Sequence, residues 1–251
     1  AARLDIEQGR YDLAHDRLRL YRERVPRLPF RAEAYYLDGI AYFQQRRYEQ
    51  AADLFDSAAS IAALRYQRTS DSSDIELQRR SLYWSAVASV HHSAFERAER
   101  TFRDLLDLHS SYDDDAYVGL ASIAEFRGDF RQALTYYDSV LVVAPAGELV
   151  AVAHLRAAQQ LILLRQPRRA LQRLSAAEQT IAAAAGQQLP PHARAVLELL
   201  TAEALLQVGQ YQQAIERYRA VIAQHDASPL LRWQAYLGIG WAELNQKHES
   251  E

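Results

Sequence analysis

Two short clusters of side chains in this chain have residue types that could bind a metal ion. His91 and His92 are adjacent, and Asp113, Asp114 and Asp115 follow one another. Neighbouring residues of a helix point about 100° apart, so the two histidines cannot chelate one ion together. The three aspartates have the charge of a calcium loop but lack its glycine turn and its distal glutamate. We therefore predict surface or groove-edge histidines, and carboxylates that complement the dipole at a helix N-terminus.

Other kinds of reactive site find no support in the sequence. The chain has no cysteine, which excludes disulfides, thiolate nucleophiles and thiolate metal ligands. It contains no glycine-rich phosphate loop and no pattern that pairs a nucleophile with a general base. The formal charge is −3 at pH 7 and basic residues are interspersed with acidic ones, so no basic stripe for nucleic acid can be drawn. We expect a protein that is not an enzyme, has no cofactor or metal ion and does not bind nucleic acid.

The composition predicts a folded, all-α protein. The 251 residues are 49% apolar and 24% charged, which is typical of chains that bury a large core. No long segment alternates apolar and polar residues as strands do, and no apolar run approaches the roughly 18 residues of a membrane helix. Because the sequence contains no methionine, we expect it to begin downstream of a removed segment, such as a signal or another domain.

One pattern of side chains recurs along the chain and defines the elements that must position any binding site. An aromatic residue such as Tyr11 is followed by alanine three residues later and by a large apolar residue four further on. These offsets place the side chains on one face of an α-helix. The alanine is small because a second helix must approach closely there. The alanines are Ala14, Ala51, Ala98, Ala133, Ala170 and Ala214, and the large residues are Leu18, Phe55, Phe102, Tyr137, Leu174 and Tyr218.

The spacing and the residue types resemble the tetratricopeptide repeat family. The alanines are 35 to 47 residues apart, close to the roughly 34-residue helix-turn-helix period of that family with two insertions. The run "AEAYYLDGIAYFQQRRYEQAADLFDSA" at 32–58 carries the family's aromatic and small positions, with Gly39 and Ala51 where the two helices touch. In the fifth unit, Pro167 replaces the aromatic at the first turn of a helix. The resemblance implies an α-solenoid of antiparallel helix pairs that binds proteins and is not catalytic.

Helix pairs can be assigned along the whole chain. Short turns join the helices of a pair, and glycine in three of them, at Gly9, Gly128 and Gly209, fits a left-handed helix cap. The assignment is a partial first repeat at 1–30, repeats at 31–68, 74–112, 113–147, 148–186 and 190–227, and a closing helix at 229–251.

The two insertions are interpreted as loops between extended helices. In "TSDSSDIE" at 69–76, Ser73 and Glu76 fit a capping box that starts the next helix. In "AAAAGQQLPP" at 182–191, Gly186 fits a helix cap, and the two prolines fit a stop and a restart.

The resemblance implies that the first helices of the pairs line a concave groove that binds a protein or peptide partner. The face at spacing i, i+4 and i+7 of these helices is more apolar than charged. Proteins of the family that bind chaperone tails carry a basic, asparagine-rich clamp there, which this chain lacks, so recognition of a C-terminal carboxylate is disfavoured. The same positions would also suit packing between helices, and the pattern leaves both roles open. The residues are Tyr36, Ile40, Phe43, Tyr83, Val87, Val90, Val118, Ser122, Glu125, Leu155, Gln159, Ile162, Leu199, Glu203 and Leu206.

These features favour a scaffold or adaptor that holds a protein partner in the groove. The run "LYRERVPRLPFRAEAYYLDGIAYFQQRRYEQAADLF" also resembles tetratricopeptide proteins of bacterial envelopes, including lipoproteins that assist outer-membrane assembly. That resemblance favours a periplasmic or envelope-associated adaptor over a cytoplasmic one. A regulatory or sensor module of a larger multidomain protein is the alternative, and flanking sequence would distinguish the two.

The closing helix has no second helix to pack on within the sequence. Trp233, Tyr236 and Trp241 make it more apolar than a polar capping helix should be. A further repeat or domain would cover this surface, and so would head-to-tail association between copies. A homo-oligomer through the exposed terminal helices is therefore a further hypothesis.

Overall fold

The structure, a computed structural model, describes residues 1–24, 30–183 and 192–248, and these form thirteen α-helices without a strand. The predicted all-α helical-repeat fold is confirmed. Most of the segment 182–191, with Gly186 and both prolines, lies outside the described residues. The helices are α1 (Ala2–Glu7), α2 (Tyr11–Arg24), α3 (Arg31–Gln44), α4 (Tyr48–Thr69), α5 (Ser72–His91), α6 (Phe95–Leu106), α7 (Asp113–Phe126), α8 (Phe130–Val143), α9 (Val150–Leu163), α10 (Pro167–Ala183), α11 (Ala193–Val208), α12 (Tyr211–Ala223) and α13 (Pro229–His248).

The chain folds into two compact units, Ala1–Ile123 and Ala124–Glu251. In the first unit each helix from α1 to α6 packs on the next, and α3 also contacts both α1 and α5. In the second unit each helix from α8 to α13 packs on the next, and α11 also contacts both α9 and α13. Within each unit, odd-numbered helices therefore form one layer and even-numbered helices form the other. This layering places the first helices of successive pairs side by side.

The six repeat alanines lie at helix crossings, as predicted. Each of them is fully buried, and the six large apolar residues that follow them are at most 5% exposed. Glycines on the first helices serve the same close approach. A Cβ atom at Gly39 would lie 2.7 Å from the ring of Phe55, a separation that no real contact permits. Gly119 accommodates the ring of Phe102 in the same way, so the aromatic rings of the second helices seat against backbone.

Six turns between the helices of a pair contain one residue in the left-handed region. Glycine occupies it in the three turns where the sequence predicts it, and a residue with a side chain occupies it in the other three. For a residue with a Cβ atom this conformation costs about 1 kcal/mol. The φ angles are 70° at Gly9, 75° at Gly128 and 87° at Gly209, and 60° at Arg46, 61° at Ser93 and 57° at Arg165.

Replacing Ser93 with glycine is expected to raise the free energy of unfolding by roughly 0.5 kcal/mol, because relief of the left-handed strain exceeds the added entropy of the unfolded chain. Gly128→Ala should lower it by about 1 kcal/mol. A Cβ atom at Gly128 would meet nothing within 4 Å, so this matched change tests backbone conformation alone. Urea denaturation measures both. A Ser93→Gly protein less stable than the wild type would show that the turn is not strained.

The start of α5 differs from the prediction. Its N-cap is Asp71, whose carboxylate accepts a hydrogen bond from the Ser73 backbone N–H at 2.9 Å. The capping box of Ser73 and Glu76 is therefore wrong. Aspartate is among the strongest N-cap residues, and its position two residues earlier starts the helix at Ser72. The predicted start of α10 at Pro167 is confirmed.

Buried aspartates connect neighbouring helices in the first unit. Asp38 of α3 is 2% exposed, and its two oxygens lie 2.5 Å from Arg22 Nη1 and from His15 Nδ1, both on α2. Asp5 of α1 is fully buried and accepts a hydrogen bond from Arg10 at 2.6 Å. That hydrogen bond is the largest of the effects that together lower the pKa of Asp5 below its usual value. Both carboxylates are charged groups whose stability depends on their arginines.

Candidate functional site

The first helices of residues 1–123 present a half-buried face on the odd-numbered layer. We call it the first-helix face. Seven of its eight side chains are half-buried and one, Ser122, is exposed. Half-burial fits both roles that the sequence leaves open, since one edge of each side chain packs and the other meets solvent. The face consists of Tyr36, Ile40 and Phe43 on α3, Tyr83, Val87 and Val90 on α5, and Val118 and Ser122 on α7.

Aromatic rings hold the α3 part of this face in place. The ring centroid of Phe43 lies 5.1 Å from that of Trp84, 5.2 Å from that of Tyr48 and 5.6 Å from that of His91. Tyr36 lies 5.6 Å from Phe55. Such ring pairs fix side-chain orientation and contribute beyond the area that they bury. Phe43 is therefore a packing residue as well as a surface residue.

The predicted position of the histidine pair is confirmed. His91 and His92 are both exposed, at the C-terminal end of α5. His91 stacks on the ring of Tyr48 with 4.8 Å between centroids, whereas His92 Nε2 lies 3.9 Å from a carboxylate oxygen of Glu49. The two rings have different partners, in keeping with the angle between neighbouring helical positions.

Two further tyrosines extend the aromatic surface towards α7. Tyr83 stacks on Tyr112 with 5.3 Å between ring centroids and 27° between planes. The Tyr112 hydroxyl donates a hydrogen bond to Glu76 Oε1 at 3.4 Å. Burial is the largest effect that raises the pKa of Tyr36, Tyr83 and Tyr112 above the usual value. Their hydroxyls therefore stay protonated near neutral pH and can donate hydrogen bonds to a partner.

A cavity of about 430 Å³ opens between α1, α3 and α5 next to Tyr36 and Ile40. Its wall includes Arg3 and Arg80, which the sequence prediction does not contain. The guanidinium of Arg80 lies over the Tyr36 ring, 4.6 Å from the centroid. Arg80 is three residues before Tyr83, so extending the predicted stripe on α5 by one turn would have included it.

In residues 124–251 the predicted face is more deeply buried. Leu155 and Ile162 are each 6% exposed and Leu199 is 5% exposed, so these side chains pack between helices and we leave them out of the proposed surface. Leu206 packs against the core around Tyr218. The reason is that α11 contacts both α9 and α13, which covers apolar side chains between neighbouring first helices.

The polar members of this face also differ from a simple groove lining. Gln159 is half-buried. Glu125 accepts hydrogen bonds from the Tyr137 hydroxyl at 3.1 Å and from Gln160 Nε2 at 2.5 Å, so one of its oxygens is held by interior partners. Glu203 is half-buried, and burial raises its pKa above the usual value. These carboxylates contribute polarity among packed helices.

The aspartate cluster has the structural role that the sequence predicts. Asp113, Asp114 and Asp115 form the first turn of α7. Asp113 accepts a hydrogen bond from the Ser110 backbone N–H at 2.9 Å, and Asp114 accepts one from the Asp115 backbone N–H at 3.0 Å. Across residues 1–24, 30–183 and 192–248, no group of three or more His, Asp or Glu side chains is arranged to hold a metal ion. No helix in the same residues is both long and apolar enough to cross a membrane.

The closing helix α13 carries a strongly exposed apolar surface. Trp233 is 66% exposed, Tyr236 59% and Trp241 60%. A Cβ atom at Gly240 would meet nothing within 4 Å, whereas Gly39 of α3 has the Phe55 ring against it. α13 thus presents aromatic side chains around an open glycine position.

Solved structures with a similar fold are helical-repeat proteins. One is a Podosopora anserina protein described as a kinesin light chain with nearly identical TPR-like repeats, with a TM-score of 0.57 at 18% identity over 78% of this chain and 94% of that one. Another is yeast Tom70, with a TM-score of 0.55 at 18% identity over 87% of this chain and 40% of that one. At this identity the likeness shows the fold alone. A search of curated protein sequences found no match.

Family models identify the repeat type. One tetratricopeptide repeat model matches residues 1–66 and 199–248, and a second matches residues 116–151. Together they cover more than half of the chain, and neither description refers to the bacterial envelope. The matches agree with the buried alanines, the glycine positions and the two-layer arrangement of the helices. The chain belongs to the tetratricopeptide repeat family.

Proposed function

We propose that this protein is a noncatalytic scaffold that holds a protein or peptide partner on the first-helix face of residues 1–123. The observation that carries the proposal is the row of half-buried aromatic and aliphatic side chains beside a cavity on the first-helix layer. Aromatic residues in such partly buried settings are typical anchors of protein interfaces. Membership of a repeat family whose extended surfaces bind proteins supports the same role.

The test of this proposal must spare the packing residues. Replacing Tyr36 and Phe43 with serine would remove an anchor but also break the contacts of Phe43 with Trp84 and Tyr48. Ser122 is a better position because it is exposed, and its hydroxyl bonds only the backbone carbonyl of Val118 one turn earlier, at 2.9 Å. A lysine there places a long charged side chain over the face without disturbing the core.

Ser122→Lys is expected to weaken binding of the partner captured from the source cell by about tenfold, since desolvating a charge at an interface centre is costly. The matched control is Thr135→Lys on α8. Thr135 is also exposed, and its hydroxyl makes the same kind of bond, to the Arg131 carbonyl at 3.1 Å. Surface plasmon resonance compares the two. Loss of binding in the control alone would move the interface to the even-numbered layer.

A bacterial envelope location remains part of the proposal on sequence resemblance alone, from the run at 20–55. Fractionation of the source cell tests it. Recovery only with cytoplasmic proteins would remove the envelope role and leave the scaffold role standing.

The exposed surface of α13 favours a second candidate, self-association between copies. Three exposed aromatic residues around the open position at Gly240 could seat a helix of another copy, as Gly39 seats Phe55 within the chain. Trp241→Glu is expected to abolish any oligomer without changing the helical circular dichroism signal, because the side chain is solvent-facing. Light scattering across a concentration series is the measurement. A 28.6 kDa monomer at every concentration, in both proteins, would contradict self-association.

A further inference from the structure

The guanidinium of Arg80 lies at the cavity between α1, α3 and α5 without an anionic partner. Within the described parts of the chain it makes no ion pair or hydrogen bond, and its Nε atom is buried without an acceptor. The ring of Tyr36 supports one side of it, 4.6 Å from the ring centroid to Cζ. A partly desolvated cation with free donors gains most from an oxygen anion that can accept two hydrogen bonds.

The carboxylates that share this cavity already have arginines of their own. Glu33 lies 3.4 Å from Arg65, and Glu7 lies 3.5 Å from Arg3. These pairs leave Arg80 as the cation in the cavity wall that has no such counter-charge among the described residues. Charge complementarity therefore favours an acidic group on the occupant.

The other part of the wall is apolar. Ile6, Leu37 and Ile40 line the cavity beside the Tyr36 ring. Aliphatic side chains gain from transfer into such a site because apolar surface leaves water. In an extended peptide, side chains two residues apart point the same way and lie roughly 7 Å apart. One extended segment can therefore present an acidic and an aliphatic side chain to the cavity at once.

We propose that this cavity binds an internal, extended segment of the partner in which an aspartate or glutamate side chain pairs with Arg80 and an aliphatic side chain two residues away contacts Ile6 and Ile40. This specificity rests on the proposed function, since it assigns the partner chemistry of the same face. The acid is a side chain, so the segment binds without a free C-terminus.

The probe is the blocked peptide acetyl-Gly-Leu-Ser-Glu-Ser-Leu-Gly-amide, with glutamine and lysine versions at the centre. Titration into ¹⁵N-labelled protein is followed by the arginine Nε–H resonances, which report directly on a new acceptor at Arg80. The glutamate peptide is expected to shift the Arg80 Nε–H signal and to bind about tenfold more tightly than the glutamine peptide, as a charge-assisted hydrogen bond implies. The lysine peptide should bind most weakly.

Arg80→Met removes the charge and keeps most of the aliphatic stem over Tyr36. It is expected to reduce the affinity for the glutamate peptide about tenfold and to leave the glutamine peptide unchanged. The matched control is Arg131→Met, at an exposed arginine of α8, which should change neither. Equal affinity for the three peptides, an unchanged effect of glutamate in Arg80→Met, or no binding at millimolar peptide would each overturn the proposal.

Glu76 offers an independent check because it is four residues before Arg80 on α5 and is the nearest exposed carboxylate on the same helical face. Glu76→Gln is expected to strengthen glutamate-peptide binding two- to threefold by removing a like charge, with little effect on the glutamine peptide. Weaker binding of the glutamate peptide to this variant would contradict the proposal. If Ser122→Lys abolishes partner binding while Arg80→Met leaves it intact, only the acidic specificity fails and the scaffold role stands.

Discussion

Arg22→Met is expected to lower the free energy of unfolding by about 3 kcal/mol, because it leaves the Asp38 carboxylate buried with only part of its counter-charge. The Asp38 side chain is 3% exposed and that of Arg22 is 14% exposed, with 2.5 Å between Nη1 and Oδ2. Methionine retains the unbranched apolar stem, so lost packing contributes little. Chemical denaturation followed by circular dichroism measures the change.

The double variant Arg22→Met with Asp38→Asn separates the charge from the packing. A neutral amide at position 38 strands no charge, so the double variant should recover more than half of the stability lost in the single one. His15 remains beside position 38 in both proteins. A double variant that is as unstable as Arg22→Met would show that the loss comes from packing of the guanidinium rather than from the buried carboxylate.

Ala51→Leu and Ala133→Leu are each expected to destabilise the protein by roughly 1 to 3 kcal/mol through overpacking at a helix crossing. Both alanines are fully buried, one in each compact unit. The control is Ala182→Leu, at an exposed position of α10, where leucine changes helix propensity by only a few tenths of a kcal/mol. Thermal melts compare the three proteins. Unchanged melting temperatures for Ala51→Leu and Ala133→Leu would show that these positions have room for larger side chains.

The repeat pattern made the fold predictable because its residues act locally. An aromatic, an alanine and a large apolar residue at offsets of three and four define a helix face without knowledge of its neighbours. The same is true of glycine in a turn, and Gly128 has the positive φ that its position indicates. Ser93 has that backbone angle without glycine, so the sequence alone does not reveal its strain.

The site was less predictable because burial depends on contacts between helices far apart in sequence. Leu155 and Tyr36 occupy corresponding places in the predicted stripe, yet Leu155 is buried and Tyr36 is half-buried. The pairing of Asp38 with Arg22 joins two helices, and no local spacing indicates it. Arg80 was missed for a simpler reason, since the stripe on α5 was ended one turn too late.

The central claim is that the first-helix face of residues 1–123 contacts the partner, and site-specific photo-crosslinking tests it most directly. A benzophenone amino acid replaces Tyr83 on α5 or, as the control, the exposed Tyr66 on the even-numbered helix α4. Both changes exchange one aromatic side chain for another. The claim predicts a crosslink to the partner from position 83 and none from position 66. A crosslink from position 66 with none from position 83 would contradict it.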